Sequence, residues 1–407
     1  MLSVSEAIEV IKSKVSLIGC ETIFVDKALG RIVASDLKSL TSHPPVSVSA
    51  MDGFAIRAAD IDQLPITLKQ VGVSQAGKSF DGKIEIGEAV RIFTGAPIPP
   101  NADSVVVQED VDISPGEVSI KSLVEIGSFI RPAGLDFKLG ELLIPEGKIL
   151  TARDVGLLAS MNITTLKVRR RPKVGIIATG NELTMPGSAL QNDQIISSNS
   201  LSIAGYVTVF GGEATNIGLV EDDEDSIKGI LQSAAGFDLI ITVGGASVGE
   251  FDLVQKVLGN DDWSPGFSKL AMRPGKPSFF GIYRNIPLLG LPGNPVSAGV
   301  VSLIFLPELV NALCGLGSFK TTVQSGLLGG ALKNNNARQD YLRGTLATDS
   351  NNNKIVFPFD QQDSSMMSTF TNADCLVIRP PFAAKLEIGD PINFINLLDL
   401  KNNFLNF

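Results

Sequence analysis

Apolar and polar positions change rhythm several times along this chain. Val4, Ala7, Ile8, Ile11 and Val15 keep a helical spacing, and residues 2–37 are predicted helical. From 44 to 136 the pattern becomes short alternating runs, AVRIF, SVVVQED and EVSIKS, separated by Gly, Pro and Asp, which predicts strands. Helical spacing returns in TARDVGLLASMN at 151–162. The simplest account is a β module, 44–136, inserted into a first domain made of 1–43 and 137–170. From Pro172 strands and helices alternate: VGIIAT, then SLSIAGYVTVFGGEATNIGLV as helix then strand, DSIKGILQSAA as helix, DLIITVGG as strand, and IPLLGL as strand before a long apolar helix. That alternation predicts an α/β domain on a parallel sheet, 171–317. Ligands of such sheets bind beyond the carboxyl ends of the strands. Three Gly-bearing loops fall there: ATGNEL, GGASVGEFD and LPGNPVS. YLRGTLAT, KIVFPF, CLVIRPPF and PINFINLL predict a separate C-terminal β domain, 318–407.

Composition narrows the chemistry. A chain of 407 residues suggests two to four domains at about 150 residues each. The net charge of −9 disfavours nucleic acid and anionic membrane as partners, so any anion must be met by a local basic cluster. The opening residues MLSVSEAIEVIKSK lack a basic segment ahead of an apolar core, so no signal peptide is expected. The apolar run 296–306 stops at Pro307, well short of the roughly 20 residues of a bilayer span, and reads as a buried core helix. Cys20, Cys314 and Cys375 are odd in number and in no metal spacing, which fits a cytoplasmic protein. His43 is the single histidine, in the loop TSHPPVS, which excludes multi-histidine metal sites and leaves one residue for any histidine-based nucleophile system. Carboxylates, Lys/Arg, backbone amides and a hard metal are the remaining tools.

Four groups of residues could supply them. In GGASVGEFD, Gly244, Gly245 and Gly249 let amides approach an anion, with Glu250 and Asp252 just after; the loop is either a pyrophosphate cradle with a metal carboxylate or a capped turn. In KLAMRPGKPSFFG, Lys269, Arg273 and Lys276 surround a Pro-Gly turn, as an anion site or a solvated face. LPGNPVS places Ser297 near a helix start, where amides point outward, or is a plain turn and cap. Asp52, Asp136, Glu182, Asp222, Asp223 and Asp252 are scattered acids, each a candidate ligand of a hard cation such as Mg²⁺ or a cap, and Thr94 either offers a hydroxyl or ends a strand.

Taken in order, SAMDGFA, FTGAPIP, VVVQED, IRPAGLD, ATGNEL, GLVEDD, GGASVGEFD, KLAMRPGKP and LPGNPVS resemble the successive signatures of the MoeA and gephyrin E-domain family, over essentially the whole chain. The resemblance implies a multidomain α/β plus β protein: an elongated N-terminal domain, an inserted β domain, an α/β catalytic domain like that of molybdopterin adenylyltransferases, and a C-terminal β-barrel-like domain. It implies a molybdopterin molybdenumtransferase, which converts molybdopterin-AMP and molybdate to molybdenum cofactor and AMP with Mg²⁺. It implies a homodimer in which Asp52, Thr94, Glu109, Arg131 and Asp136 face the partner's catalytic domain, and contact with a molybdopterin adenylyltransferase. Glu182, Asp222 and Asp252 would hold the metal, while Lys269, Arg273 and Lys276 would oppose the substrates' charge. Gly244, Gly245, Ser247, Gly249, Pro292 and Pro295 would line the substrate. Lys276, Pro277, Ser297 and Arg338, with a serine near Ser365, would form the molybdate pocket.

Several positions depart from the family pattern. Arg273 stands where members often have lysine, Asn181 where some have Asp, Leu135 where many have Glu, and the arginine strings before Asp136 are reduced to Arg131. Three other readings are weighed: an adenylyltransferase on the same fold, a non-enzymatic scaffold, and a tungstate-handling paralogue. The adenylyltransferases carry a GGTG loop followed by Arg-Asp and are much shorter, whereas here the loop is GGASVGEFD. Residue types do not separate molybdate from tungstate.

Overall fold

The computed structural model describes residues 1–244, 253–259, 262–317, 319 and 323–399. Contacts divide the chain into two units, Met1–Glu21 with Arg169–Phe407, and Thr22–Val168.

In the second unit a six-stranded sheet runs in the order Ser104–Val107, Gly53–Ile56, Glu88–Ile92, Ile66–Ser74, Glu117–Ile120, Val111–Ser114. One of its two apolar clusters gathers Phe54, Ile56, Leu68, Val106 and Val118. A separate core joins Ala28 and Val33 to Phe137, Ile144, Leu158 and Val168, so segments on both sides of the sheet's stretch of sequence share one interior. Helix Ala152–Ser160 in that part starts at Thr151 and Asp154, which cap each other's backbone amides.

In the first unit the α/β sheet has the order Glu213–Val220, Lys173–Thr179, Leu239–Val243, Ile286–Leu291, Phe279–Tyr283, Trp263–Phe267. The first four strands are parallel, as the alternation predicts. The fifth, Phe279–Tyr283, runs antiparallel to both its neighbours, so the sixth points the same way as the first four; the alternation did not predict this reversal. The cause is the tight turn at Arg284 and Asn285, whose φ angles of 47° and 67° are both left-handed, the geometry that joins two strands as a hairpin. The core beneath the sheet is Ile177, Ile240, Leu288, Phe279, Ile227 and Val254, among others.

Two helices differ from expectation. In 2–37 the α-helix spans only Val4–Lys14, capped by Ser3 and Glu6, with Val15 already extended and one 3-10 turn at Val25–Lys27 beyond it. Thr22, Ile23 and Phe24, β-branched and aromatic, lie instead in the strand Cys20–Phe24. The Val4–Lys14 helix packs on helix Pro295–Cys314 and strand Trp263–Phe267, so Met1–Glu21 groups with the α/β part rather than with the rest of 1–43. The apolar helix does not stop at Pro307; it spans Pro295–Cys314, with most of its residues buried. Pro307 removes one backbone donor, and close packing on nearly all sides holds the helix through it. It is long and apolar enough to cross a membrane by length and composition, and it is 83% buried as a core helix.

The C-terminal strands close on themselves. Gln339–Thr348 pairs with Lys354–Pro358 and with Cys375–Arg379, and the circuit runs through Val323–Leu328 and Pro391–Asn396, a five-stranded barrel. Its interior holds Leu328, Val356, Val377 and Phe394. Met272–Arg273, from the α/β part, adds to the barrel strand at Gln339 and Asp340.

Gly290 has no room for a side chain: a Cβ there would lie 2.0 Å from the Phe279 ring, itself wedged against Trp263. Gly290→Ala is therefore expected to destabilise the protein by about 1–3 kcal/mol, the usual cost of overpacking. A lowered urea midpoint checks this, and an unchanged midpoint would show that Phe279 can move aside.

Candidate active site at the carboxyl edge of the parallel strands

The four parallel strands end at one edge, and each ends in a turn that the sequence singles out. Thr179 leads into Gly180, Val220 into Asp222, Val243 into Gly244, and Leu291 into Pro292. The turns lock together. Gly180 N–H donates to the Val220 carbonyl at 3.2 Å, and Asp222 N–H donates to Asn181 Oδ1 at 2.9 Å. A Cβ on Gly244 (φ 98°) would lie 2.1 Å from the Thr179 carbonyl oxygen, so only glycine fits. The Asn199 side-chain amide donates to the Gly293 carbonyl at 2.6 Å.

Two carboxylates stand at this edge. Glu182 Oε2 lies 2.9 Å from where a Gly180 Cβ would be. Asp222 Oδ1 is buried and without a hydrogen-bond partner. Neighbouring Asp223 is the cap of helix Glu224–Ser233, accepting from Ser226 N–H, which holds its carboxyl below the usual range. The two adjacent acids therefore differ: Asp223 closes a helix, while Asp222 Oδ1 has no protein partner. An orphaned buried carboxylate oxygen at the same strand edge as a second carboxylate is a donor set that fits a hard, oxygen-preferring cation such as Mg²⁺. The described residues hold no group of three or more potential metal ligands. Gly245, Ser247, Gly249, Glu250 and Asp252 lie outside the described residues.

The cationic loop reaches the same edge. Phe279 pairs with Gly290, so the turn before it, through Lys276 and Pro277, sits where the parallel strands end. This turn has a cis Arg273–Pro274 bond, and a Cβ on Gly275 would collide with Val301 and Met272, so the loop packs directly on the apolar helix. Lys276 is half-buried and makes no ion pair among the described residues. Arg273 is not free: its guanidinium is paired with Asp340 of the barrel. Burial pushes the Asp340 carboxyl up, against the pull of Arg273. Arg338 lies two residues away and adds to the positive field on Asp340. Lys269 is exposed, and its carbonyl accepts from Leu2 N–H, so its backbone ties down the chain's start.

The barrel also delivers the serine loop. Val296 N–H donates to the Ser364 carbonyl, and the Asn294 side-chain amide donates to Ser364 Oγ at 2.9 Å, joining that loop to the start of helix Pro295–Cys314 beside Ser297. Ser365 Oγ donates to Asp363 Oδ1 at 2.6 Å, so that hydroxyl proton is already engaged, while Ser364 faces the helix start. The structure thus brings Glu182, Asp222, Gly244, Pro292, Pro295, Ser297, Lys276, Pro277, Arg273, Arg338 and Ser365 to one end of the first unit. Asn199 and Asp340 belong to the same constellation and were missed; Asp340 shows itself only through a partner 67 residues away. Asn181, noted in the sequence only as a departure from the family pattern, joins them through its bond to the Asp222 N–H, and Ser364 is a serine in the stretch indicated near Ser365. A polar hollow of ≈ 380 Å³ opens at the opposite, amino edge, but there Arg170 is already engaged bidentately by Asp238.

In the second unit Asp52, Thr94 and Glu109 come together. Thr94 donates to Asp52 Oδ1 from its backbone N–H at 2.7 Å and its hydroxyl at 2.8 Å, and Gln108 links Arg91 to Glu109. Those two bonds, the backbone one foremost, hold the Asp52 carboxyl below the usual range. A depressed acid adds stability above its unfolded pKa and loses it as pH falls through the folded value. Thr94→Val removes one donor, so the Asp52 carboxyl should titrate nearer the ordinary range. A ¹³C NMR titration reads this directly; an unmoved Asp52 would mean the backbone N–H alone sets it. Arg131 is exposed on a two-residue strand paired with Val48, and Asp136 is exposed with its N–H on the His43 carbonyl. His43 stacks on Phe137 at 5.6 Å, a packing role.

Comparison with known proteins agrees with this architecture. Residues 2–162 match the MoeA N-terminal region (domain I and II), 175–311 the probable molybdopterin binding domain, and 326–397 the MoeA C-terminal region (domain IV). A Haemophilus influenzae protein named molybdopterin molybdenumtransferase is 34% identical over 91% of this chain and 92% of its own. A Staphylococcus aureus protein of the same name is 29% identical over 97% and 95%. A crystal structure of a molybdopterin biosynthesis MoeA protein from a Pyrococcus species superposes with a TM-score of 0.85 at 31% identity, covering 97% of this chain and 99% of that one. The class is that of transferases in molybdenum cofactor biosynthesis. The chain belongs to the MoeA family.

Proposed function

We propose that this protein inserts molybdenum into adenylylated molybdopterin, consuming molybdopterin-AMP and molybdate and releasing AMP and molybdenum cofactor. The observation that carries this reading is the pairing, at one sheet edge, of two carboxylates with a cationic turn docked on the barrel. A dithiolene, a pyrophosphate linkage and a molybdate dianion are all negative, and assembling them needs fixed positive charge on one side and a counter-cation on the other. Lys276, Arg273 and Arg338 supply the first and hold the oxyanion with Pro277, Ser297 and the Ser364–Ser365 loop. Glu182 and Asp222, with Asp252, would hold Mg²⁺, which when bound offsets charge on the phosphoanhydride. Gly244 opens the loop against which the pyrophosphate lies. Water adds to the pterin-side phosphorus, the bond to the AMP oxygen breaks, and the terminal phosphate stays on the pterin. The working form is a cytoplasmic homodimer in which the Asp52–Thr94–Glu109 cluster, with Arg131 and Asp136, faces the partner's catalytic domain, and it receives its substrate by contact with a molybdopterin adenylyltransferase.

Purified protein with molybdopterin-AMP, Mg²⁺ and molybdate should release AMP and reconstitute an apo molybdoenzyme. Conversion of ATP and molybdopterin to molybdopterin-AMP instead would identify an adenylyltransferase. Neither reaction would leave a binding protein on this fold and overturn the proposal.

A further inference from the structure

Thr179 is the last residue of the strand Lys173–Thr179 and is 2% exposed, yet its hydroxyl has no hydrogen-bond partner. Its position is defined by what crowds it: a Cβ built on Gly244 would lie 3.1 Å from Thr179 Oγ1. The hydroxyl therefore sits directly under the first residue of the glycine turn, between the ends of two neighbouring parallel strands. A Cβ on Gly293, at the end of the next strand, would come within 3.9 Å of the Gly244 Cα, so the three strand ends stack side by side.

Leaving a buried hydroxyl unpaired costs roughly 1–3 kcal/mol. Native proteins satisfy such groups, and an exception calls for a reason. Two features of the surroundings supply one. The start of helix Pro295–Cys314 lies at the same edge; Pro295 has no N–H and the Val296 N–H is taken by the Ser364 carbonyl, which leaves the positive end of the helix rather than a row of open amides facing it. Asp222 Oδ1, on the adjacent strand end, and Ser278 Oγ, in the turn just before Phe279, are further orphans at this edge among the described residues. Thr242 also carries an unpaired hydroxyl but lies deeper: it pairs with Ile177, two residues before Thr179, and so cannot reach the edge.

We propose that Thr179 is a substrate-positioning residue whose hydroxyl donates to a phosphate oxygen of the phosphoanhydride lying against Gly244. This rests on the functional reading above and adds a residue to it. The hydroxyl is left unpaired by the protein so that the phosphate completes it. The inference gives opposite signs to stability and binding. Thr179→Val keeps the shape and removes the orphan, so thermal stability of the unliganded protein should be equal or higher, while phosphate binding weakens. A structural hydroxyl would behave the other way and lower the melting temperature on removal.

The test measures inorganic pyrophosphate binding by calorimetry in the presence of Mg²⁺, with melting temperatures, for wild type, Thr179→Val, Thr179→Ser and Thr242→Val. Expected are an approximately tenfold weaker pyrophosphate Kd for Thr179→Val with no loss of melting temperature, near-wild-type binding for Thr179→Ser, and wild-type binding for Thr242→Val. The magnitude is that of one hydrogen bond to a charged group. Thr179→Val that binds like wild type, or that melts lower or fails to fold, overturns the inference. So does Thr179→Ser failing as badly as valine, or wild type that does not bind pyrophosphate. AMP release from molybdopterin-AMP by wild type is scored separately, so loss of this inference and loss of the transferase reading are distinguishable.

Discussion

Asp222→Ala should lower AMP release about a hundredfold while leaving the unfolding midpoint where it is in wild type. The first half follows from charge: on the proposed reading Glu182 and Asp222 would hold a counter-cation against a polyanionic substrate, and losing a main electrostatic group in a partly dry site typically costs about that much. The second half follows from bonding. Asp222 Oδ1 has no protein partner, so its removal breaks no bond that folding uses. What anchors the turn is the Asp222 backbone N–H on Asn181 Oδ1, which alanine keeps. Steady-state AMP release and urea unfolding of the same preparation read both halves. A variant that turns over normally would remove Asp222 from the site, and one that loses activity together with stability would make it a structural acid. Asp223→Ala is the contrasting change: it removes the helix cap and should cost about 1 kcal/mol of stability.

How far the sequence discloses this arrangement depends on the reach of each interaction. Local signals are legible. The strand Lys173–Thr179 reads as a buried run closed by Gly180, and Gly244 must be glycine because the Thr179 carbonyl leaves no room. The change of period from helical to alternating marks where the second unit's sheet begins, and Ala28, Val33 and Phe137, from either side of that stretch, share one core. The hairpin at Arg284 and Asn285 is not legible, because an Arg-Asn pair carries none of the glycine that usually marks a turn with two left-handed residues. Nor is the length of the apolar helix, since the rule that proline ends a helix yields to burial on nearly every side. Long-range partners are the least visible. Arg273 reads as one of three equivalent cations, yet Asp340 of the barrel takes one side of its guanidinium, and the pair, with the added strand Met272–Arg273, joins the turn to the barrel. An arginine at this position, with its planar fork, suits that bridging task better than a point-charge lysine.

That division of labour makes Lys276 the cation with most to lose. Lys276→Ala is expected to cut molybdate-dependent cofactor formation about a hundredfold, and Lys276→Arg clearly less. Unit charges 4 Å apart interact by about 4 kcal/mol at an effective dielectric near 20, and Lys276 is half-buried, so part of this is screened and roughly two powers of ten remain. Arg273 cannot replace the lost charge, because its guanidinium is partly neutralised by Asp340. The fold should survive, since the contribution of residue 276 to the turn is its carbonyl, which accepts from Leu270 N–H at 2.9 Å, and alanine retains it. The loss should appear mainly as a raised KM for molybdate if Lys276 binds the free oxyanion, and mainly as a lowered kcat if its charge matters most as metal transfer proceeds. Measuring both parameters against molybdate concentration separates these. Wild-type parameters in Lys276→Ala would show that the oxyanion is met elsewhere, with Lys269 and Arg338 the next cations to replace.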